Sequence, residues 1–258
     1  MHRRNGWRTA AAAFVSALVV NGCSNVDYHW GWYEVLPTTP RGSVNLRFLL
    51  DGLWMTVGLA AVSIVISVSA GLLVALPGLS RNRLLRIFNR VYVETFRSVP
   101  TLVMVLWVYY GLPVVLGLSL APFAAGVLAL SICDSAFEAE IFRGGIQSIE
   151  RGQIEAADAL GLPYLLKLRL IILPQAIRRI LPPLGNQFVY MLKMSSLVSV
   201  IGLQELTRKA NELTVTVYRP LEIYTVLILE YLVLILIVSW AVRWMENRLG
   251  ANVQLSNR

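Results

Sequence analysis

From residue 52 to residue 80 this chain carries not one Asp, Glu, Lys or Arg. Such a run exceeds the roughly 20 apolar residues that cross about 30 Å of hydrocarbon. A helix is the form in which it satisfies its own backbone polar groups there. The first span is read as 46–76, long enough to cross with tilt or to start as an interfacial helix. Further apolar stretches follow at 99–116, 123–142, 184–203 and 223–244. With 56% hydrophobic and 15% charged residues in 258, the composition excludes an ordinary soluble domain. The expected fold class is all-α, a polytopic membrane helical bundle with five core transmembrane helices. No internal repeat is visible.

The charges say which side is which. Arg81, Arg83, Arg86 and Arg90 stand together without an acid, and the segments 143–179 and 243–258 are also rich in Arg and Lys. Positive loops stay inside, which puts the C-terminus in the cytoplasm and residue 45 in the periplasm. The net charge of +8 is spread between apolar spans and not gathered into a patch with interleaved aromatics, so nucleic acid is not an expected partner. Residues 1–23 read as a signal-like segment, with Arg3, Arg4 and Arg8 ahead of a short apolar run. The run ends at Cys23, where Val20-Asn21-Gly22-Cys23 resembles a lipidation site. Aromatic-rich 24–44 suits an outer interfacial segment. The expected division is therefore 1–44, a membrane domain at 45–248 and a cytoplasmic tail at 249–258.

Charged residues inside spans are expensive and need a partner or a watery path. The third span holds Asp134, Glu138 and Glu140; the fourth holds Lys193 and Ser195, with Asn186 one to two turns earlier. Asp134 and Glu138 share a helix face four residues apart. Two readings stand for this set: a substrate path in which acids meet an ammonium, or pairing of the glutamates with Lys193 or Arg143. Glu140 with Arg143 is read as structural, and so is Glu94 with Arg97, one turn apart. Glu230 is the sole acid of the fifth span.

The most informative polar segment is 155–174, EAADALGLPYLLKLRLIILP. A short helix with acids in its first turn is expected from Glu155, stopped at Gly161, with Pro163 and Pro174 marking the breaks that follow. Glu-Ala-Ala, three residues, Gly, nine residues and Ile-x-Leu-Pro resembles the signature of the permease subunits of bacterial ABC importers. It falls on Glu155, Ala156, Ala157, Gly161, Ile171, Leu173 and Pro174. The blocks ETFRSVP at 94–100, AFEAEIFRGGIQSIERGQIEAA at 136–157, LPQAIRRILPPLGNQ at 173–187 and LKMSSLVSVIG at 192–202 resemble the polar amino-acid branch of that family.

The resemblance implies a type I importer fold in the bacterial inner membrane, with the loop 143–180 inserting a coupling helix into an ATPase. It makes the seven signature residues candidate ATPase contacts. The partners it implies are ABC ATPase subunits, a periplasmic amino-acid-binding protein, and a second permease copy or paralogue, all within membrane lipid. Where family members commonly carry Tyr, this chain has Phe137. ATP and magnesium would belong to the partner ATPase, since the chain has no G-x-x-x-x-G-K-S/T loop. It also lacks H-E-x-x-H, G-x-S-x-G and C-x-x-C, so neither metal nor nucleophilic catalysis has a carrier. The rival reading is a secondary transporter with Asp134, Glu138 or Glu230 as a proton or sodium relay.

Overall fold

The structure is a computed structural model that describes residues 28–80 and 82–248. The signal-like segment 1–23, the Cys23 lipidation site and the tail 249–258 lie outside the described residues. The chain divides into two units after Trp32. In the first, the Tyr28 and Trp30 rings meet edge-on with centroids 5.2 Å apart, and Trp30 stacks on Trp32 at 5.5 Å.

The second unit is the bundle, and all regular structure among its described residues is helical. Helix α1, Pro40–Leu50, opens with Pro at its first position and the Thr39 hydroxyl accepting from the Gly42 N–H at 3.0 Å. It continues through Asp51, which keeps helical dihedrals, into α2, Gly52–Leu79. The 40-residue run Pro40–Leu79 therefore begins earlier than the span expected at 46–76. Pro40, at N1, starts a helix rather than interrupting one.

The Arg-rich stretch after it is not a loop. It forms α3, Arg83–Ser98, capped by the Asn82 side chain, which accepts from the Leu84 N–H at 2.9 Å. Its Leu84, Leu85, Phe88 and Val91 are exposed, whereas Asn89 is buried and donates to the Val74 carbonyl at 2.7 Å. Val99, forced out of the helical region by Pro100, lets the chain turn by 96° into α4, Thr101–Leu116. A π turn at Trp107–Gly111 widens α4 midway.

Helix α5 is Pro122–Gln147, α6 Arg151–Ala159 and α7 Tyr164–Lys167. A π turn at Leu168–Ile172 joins α7 to α8, Leu173–Met194. A 3-10 turn at Ser195–Ile201 then closes on Gly202. Helices α9, Leu206–Val217, and α10, Pro220–Arg248, complete the bundle; the stretch between the spans expected at 184–203 and 223–244 is thus largely helical. On length and apolar composition the Pro40–Leu79 run and α10 can cross a membrane, and α3 with α4 adds a third crossing if counted as one bent span. Helices α5 and α8 have spanning length, 26 and 22 residues, but carry the polar residues described below.

The core gathers Leu59, Val105, Leu130, Leu192 and Val198 from α2, α4, α5, α8 and the 3-10 turn. Its tightest seam is α2 against α5. Thr56, Ala60, Ser63, Ser67, Gly71 and Ala75 are buried at spacings of three and four, a stripe of small side chains that lets two backbones approach. The opposite face of α2 exposes Val62, Val65, Ile66, Leu72 and Leu73, as a lipid-facing surface should.

Glu205 caps α9 beneath this core. It is fully buried; Oε1 accepts from the Arg208 N–H at 2.7 Å and Oε2 from the Tyr231 hydroxyl at 3.0 Å. Burial raises its pKa above the ordinary 4.5. With the folded value raised, the unfolded chain releases this proton first, so the group's contribution to stability falls as pH rises from the ordinary glutamate range through the folded value. Thermal melts from pH 5 to 8 should show wild type losing more stability with rising pH than Glu205→Gln. Parallel pH profiles would rule out that role for Glu205.

Candidate functional site

Two features stand out: a platform at 143–180 and a polar seam within the spans. The platform begins with α6, which opens at Arg151 rather than at Glu155. Glu155 therefore sits mid-helix, and the expected acids in the first turn are absent from it. The extra turn comes from Arg151-Gly152-Gln153, which the signature does not include. The stop at Gly161 takes the form of a Schellman cap: Gly161, at φ +66°, donates to the Asp158 carbonyl at 3.0 Å and Leu162 to the Ala157 carbonyl at 3.1 Å. Pro163 then turns the chain, and Lys167 reaches back to Asp158 at 2.5 Å.

Pro174 does not break the path. It occupies the first turn of α8, and the π turn before it accommodates the lost N–H, so 164–194 is one continuous helical run. The base of the platform is fixed by Ile149, Ala176 and Ile180 and by the Arg179 guanidinium on the Ser148 carbonyl.

Of the signature residues, Glu155, Ala156, Gly161, Leu173 and Pro174 are exposed, Ile171 is half-buried and Ala157 is buried against the cap. Around them lies what the signature did not single out: Leu160, Tyr164 and Leu165 are 77, 68 and 75% exposed. A cluster of exposed apolar side chains of this kind is typical of surfaces that bind another protein.

In the seam, Asp134 is buried. Its Oδ2 accepts from the Ser67 hydroxyl at 2.6 Å, and its Oδ1 accepts from the Gln187 amide. Three helices, α2, α5 and α8, are thereby tied at one carboxylate. Glu138 lies one turn further along, fully buried with its Cβ against Gly71, and among the described residues neither carboxyl oxygen has a hydrogen-bond partner. Among the same residues the carboxyl of Glu230 in α10 also has none. Glu140 and Arg143 form a two-pronged ion pair at 3.0 and 2.6 Å. Glu94 and Arg97 do not pair: the Arg97 guanidinium sits over the Phe137 ring, 4.9 Å from its centroid. The negative face of the Phe137 ring attracts this cation.

Lys193 pairs with neither glutamate, because Glu140 is already held by Arg143 and Glu138 faces α2. Lys193 is exposed, and so are Asn186 and Tyr190; at spacings of four and three they share one face of α8. Tyr190 was not singled out in the sequence, although that spacing identifies it. Ser195 turns inward and donates to the Leu192 carbonyl at 2.7 Å, off this face. No cluster of His, Cys, Asp and Glu among the described residues could hold a metal.

Residues 67–251 match the family model of the binding-protein-dependent transport system inner membrane component. The glutamine transport system permease protein GlnP of Escherichia coli K12 is 36% identical over 223 residues, covering 84% of this chain and 97% of that protein. The arginine transport system permease protein ArtQ of Bacillus subtilis is 36% identical over 208 residues, covering 81% of this chain and 95% of that protein. The crystal structure of an amino acid ABC transporter with histidines contains a chain 40% identical, with a TM-score of 0.75, over 80% of this chain and 96% of that one. The platform, the polar seam and these matches converge: the chain belongs to the family of binding-protein-dependent transport system inner membrane components.

Proposed function

We propose that the chain is the permease subunit of an ATP-driven importer that moves a polar amino acid across the bacterial inner membrane. Its C-terminus then faces the cytoplasm. ATPase subunits, holding ATP and magnesium, dock on the 143–180 platform, and a periplasmic amino-acid-binding protein delivers substrate from the other side. The observation that carries this is the exposed apolar set Leu160, Tyr164 and Leu165 on the segment that also exposes Glu155, within a family of binding-protein-dependent transport components.

A second permease copy or paralogue completes the path. The stripe of Asn186, Tyr190 and Lys193 is exposed and runs to the middle of the expected span 184–203, where lipid would leave the Lys193 ammonium costly, so it faces another subunit or water. Substrate passes along this stripe, with Asp134 one layer behind through Gln187. Glu138 and Ser195, turned inward, support the helices that form it. Family membership displaces the ion-coupled alternative through Asp134, Glu138 or Glu230.

The test is uptake into liposomes that hold the chain with its ATPase and binding protein. Glutamine, arginine or histidine should accumulate only with ATP. In Lys193→Met, uptake should fall by about tenfold or more while ATP hydrolysis persists. Uptake that follows a proton or sodium gradient without ATP overturns the reading.

A further inference from the structure

At the end of the bundle that carries the Arg-rich segments, α3 and α5 enclose a cavity of about 360 Å³. Arg86, Arg90 and Arg97 of α3 and Arg143 of α5 line it, with Glu94 and Glu140. Four arginines against two glutamates leave two positive charges. Glu140 is consumed by Arg143, and Arg97 lies over Phe137. Arg86 and Arg90, one turn apart, take part in no ion pair among the described residues. Neither the platform nor the polar seam uses this cavity.

We propose that it seats the phosphodiester headgroup of an anionic membrane lipid. Its volume suits such a headgroup, and its excess charge calls for an anion. What identifies a lipid, and not a soluble phosphate, is the helix that forms the wall. Beside the arginines, α3 exposes Leu84, Leu85, Phe88 and Val91. A helix with bare apolar side chains beside arginines lies in the membrane interface, acyl chains against the first and headgroups against the second. The 96° bend at Val99 and Pro100 aims α3 away from α4 as such a placement requires. Acyl chains then cover the apolar residues while the phosphate meets Arg86 and Arg90.

The purified full-length chain, with any transporter subunits that accompany it, is titrated in neutral detergent with phosphatidylglycerol, phosphatidylcholine of the same acyl chains, or soluble glycerol 3-phosphate. Thermal stabilisation is the readout. Wild type should respond to phosphatidylglycerol at a concentration about tenfold or more below phosphatidylcholine. Arg86→Gln/Arg90→Gln should abolish that preference, and Arg83→Gln, on the same helix but outside the cavity, should leave it. Should the double variant fold poorly, Glu94→Gln supplies the opposite test: removing an acid from the cavity should tighten the phosphatidylglycerol response by about fivefold. Equal loss in Arg83→Gln and the double variant, or no gain in Glu94→Gln, overturns the proposal in favour of diffuse surface attraction. Equal stabilisation by glycerol 3-phosphate overturns it in favour of a free-anion site.

Discussion

A transporter carrying Leu160→Glu should fold and enter the membrane normally, yet lose about tenfold or more of the ATP hydrolysis that loaded binding protein elicits. Leu160 sits at the C-cap of α6 and is 77% exposed. Its removal therefore costs the isolated subunit little. In the assembled importer it would be buried with Tyr164 and Leu165, and a carboxylate there would be desolvated without a partner. Glu155→Lys should act in the same direction, by reversing an exposed charge on the same helix. The measurement is ATPase activity of the reconstituted complex with and without loaded binding protein, alongside co-purification of the ATPase. Full stimulation in both variants would place the ATPase contact elsewhere on the chain.

Gly71→Val should abolish the folded state or lower stability by about 3 kcal/mol or more. A Cβ at Gly71 would lie 2.4 Å from the Cβ of Glu138 and 2.9 Å from the Ser135 carbonyl oxygen. Neither neighbour is the free end of a flexible side chain, so α2 must move away from α5. That movement also pulls Ser67 off Asp134 and loosens the knot that includes Gln187. Gly58→Val is the matched control, because a Cβ there meets nothing within 4 Å. Thermal melts should find Gly58→Val near wild type and Gly71→Val far below it. Equal behaviour would mean that the seam is not close-packed in the membrane.

What the sequence discloses of this molecule follows from the range of each force. Hydrophobic runs are local, so the spans and their order are legible. The Schellman stop at Gly161 is legible too, because a positive φ after a helix favours glycine wherever it occurs. α3 is hidden by its own arginines: positions 83, 86, 90 and 97 follow a helical spacing, but charge density suggests a loop. Glu94 and Arg97 show the limit of spacing arguments, since an i,i+3 pair forms only when nothing better is near. Phe137 lies far along the chain, and the Arg97 guanidinium sits over its ring instead. The partners of Asp134 were equally out of reach, because Ser67 and Gln187 approach it from two other helices. Long-range convergence of this kind leaves no local periodicity.

The polar stripe on α8 has a consequence for how cells count their subunits. In the proposed assembly, a solitary copy would present the exposed Asn186, Tyr190 and Lys193 outward, and association would hide them. An orphan would thereby be marked by the same side chains to which the proposed path assigns the cargo. Membrane proteases and chaperones that sense intramembrane polarity would clear the surplus, and assembled transporters would escape. Stoichiometry would then be policed by the bilayer.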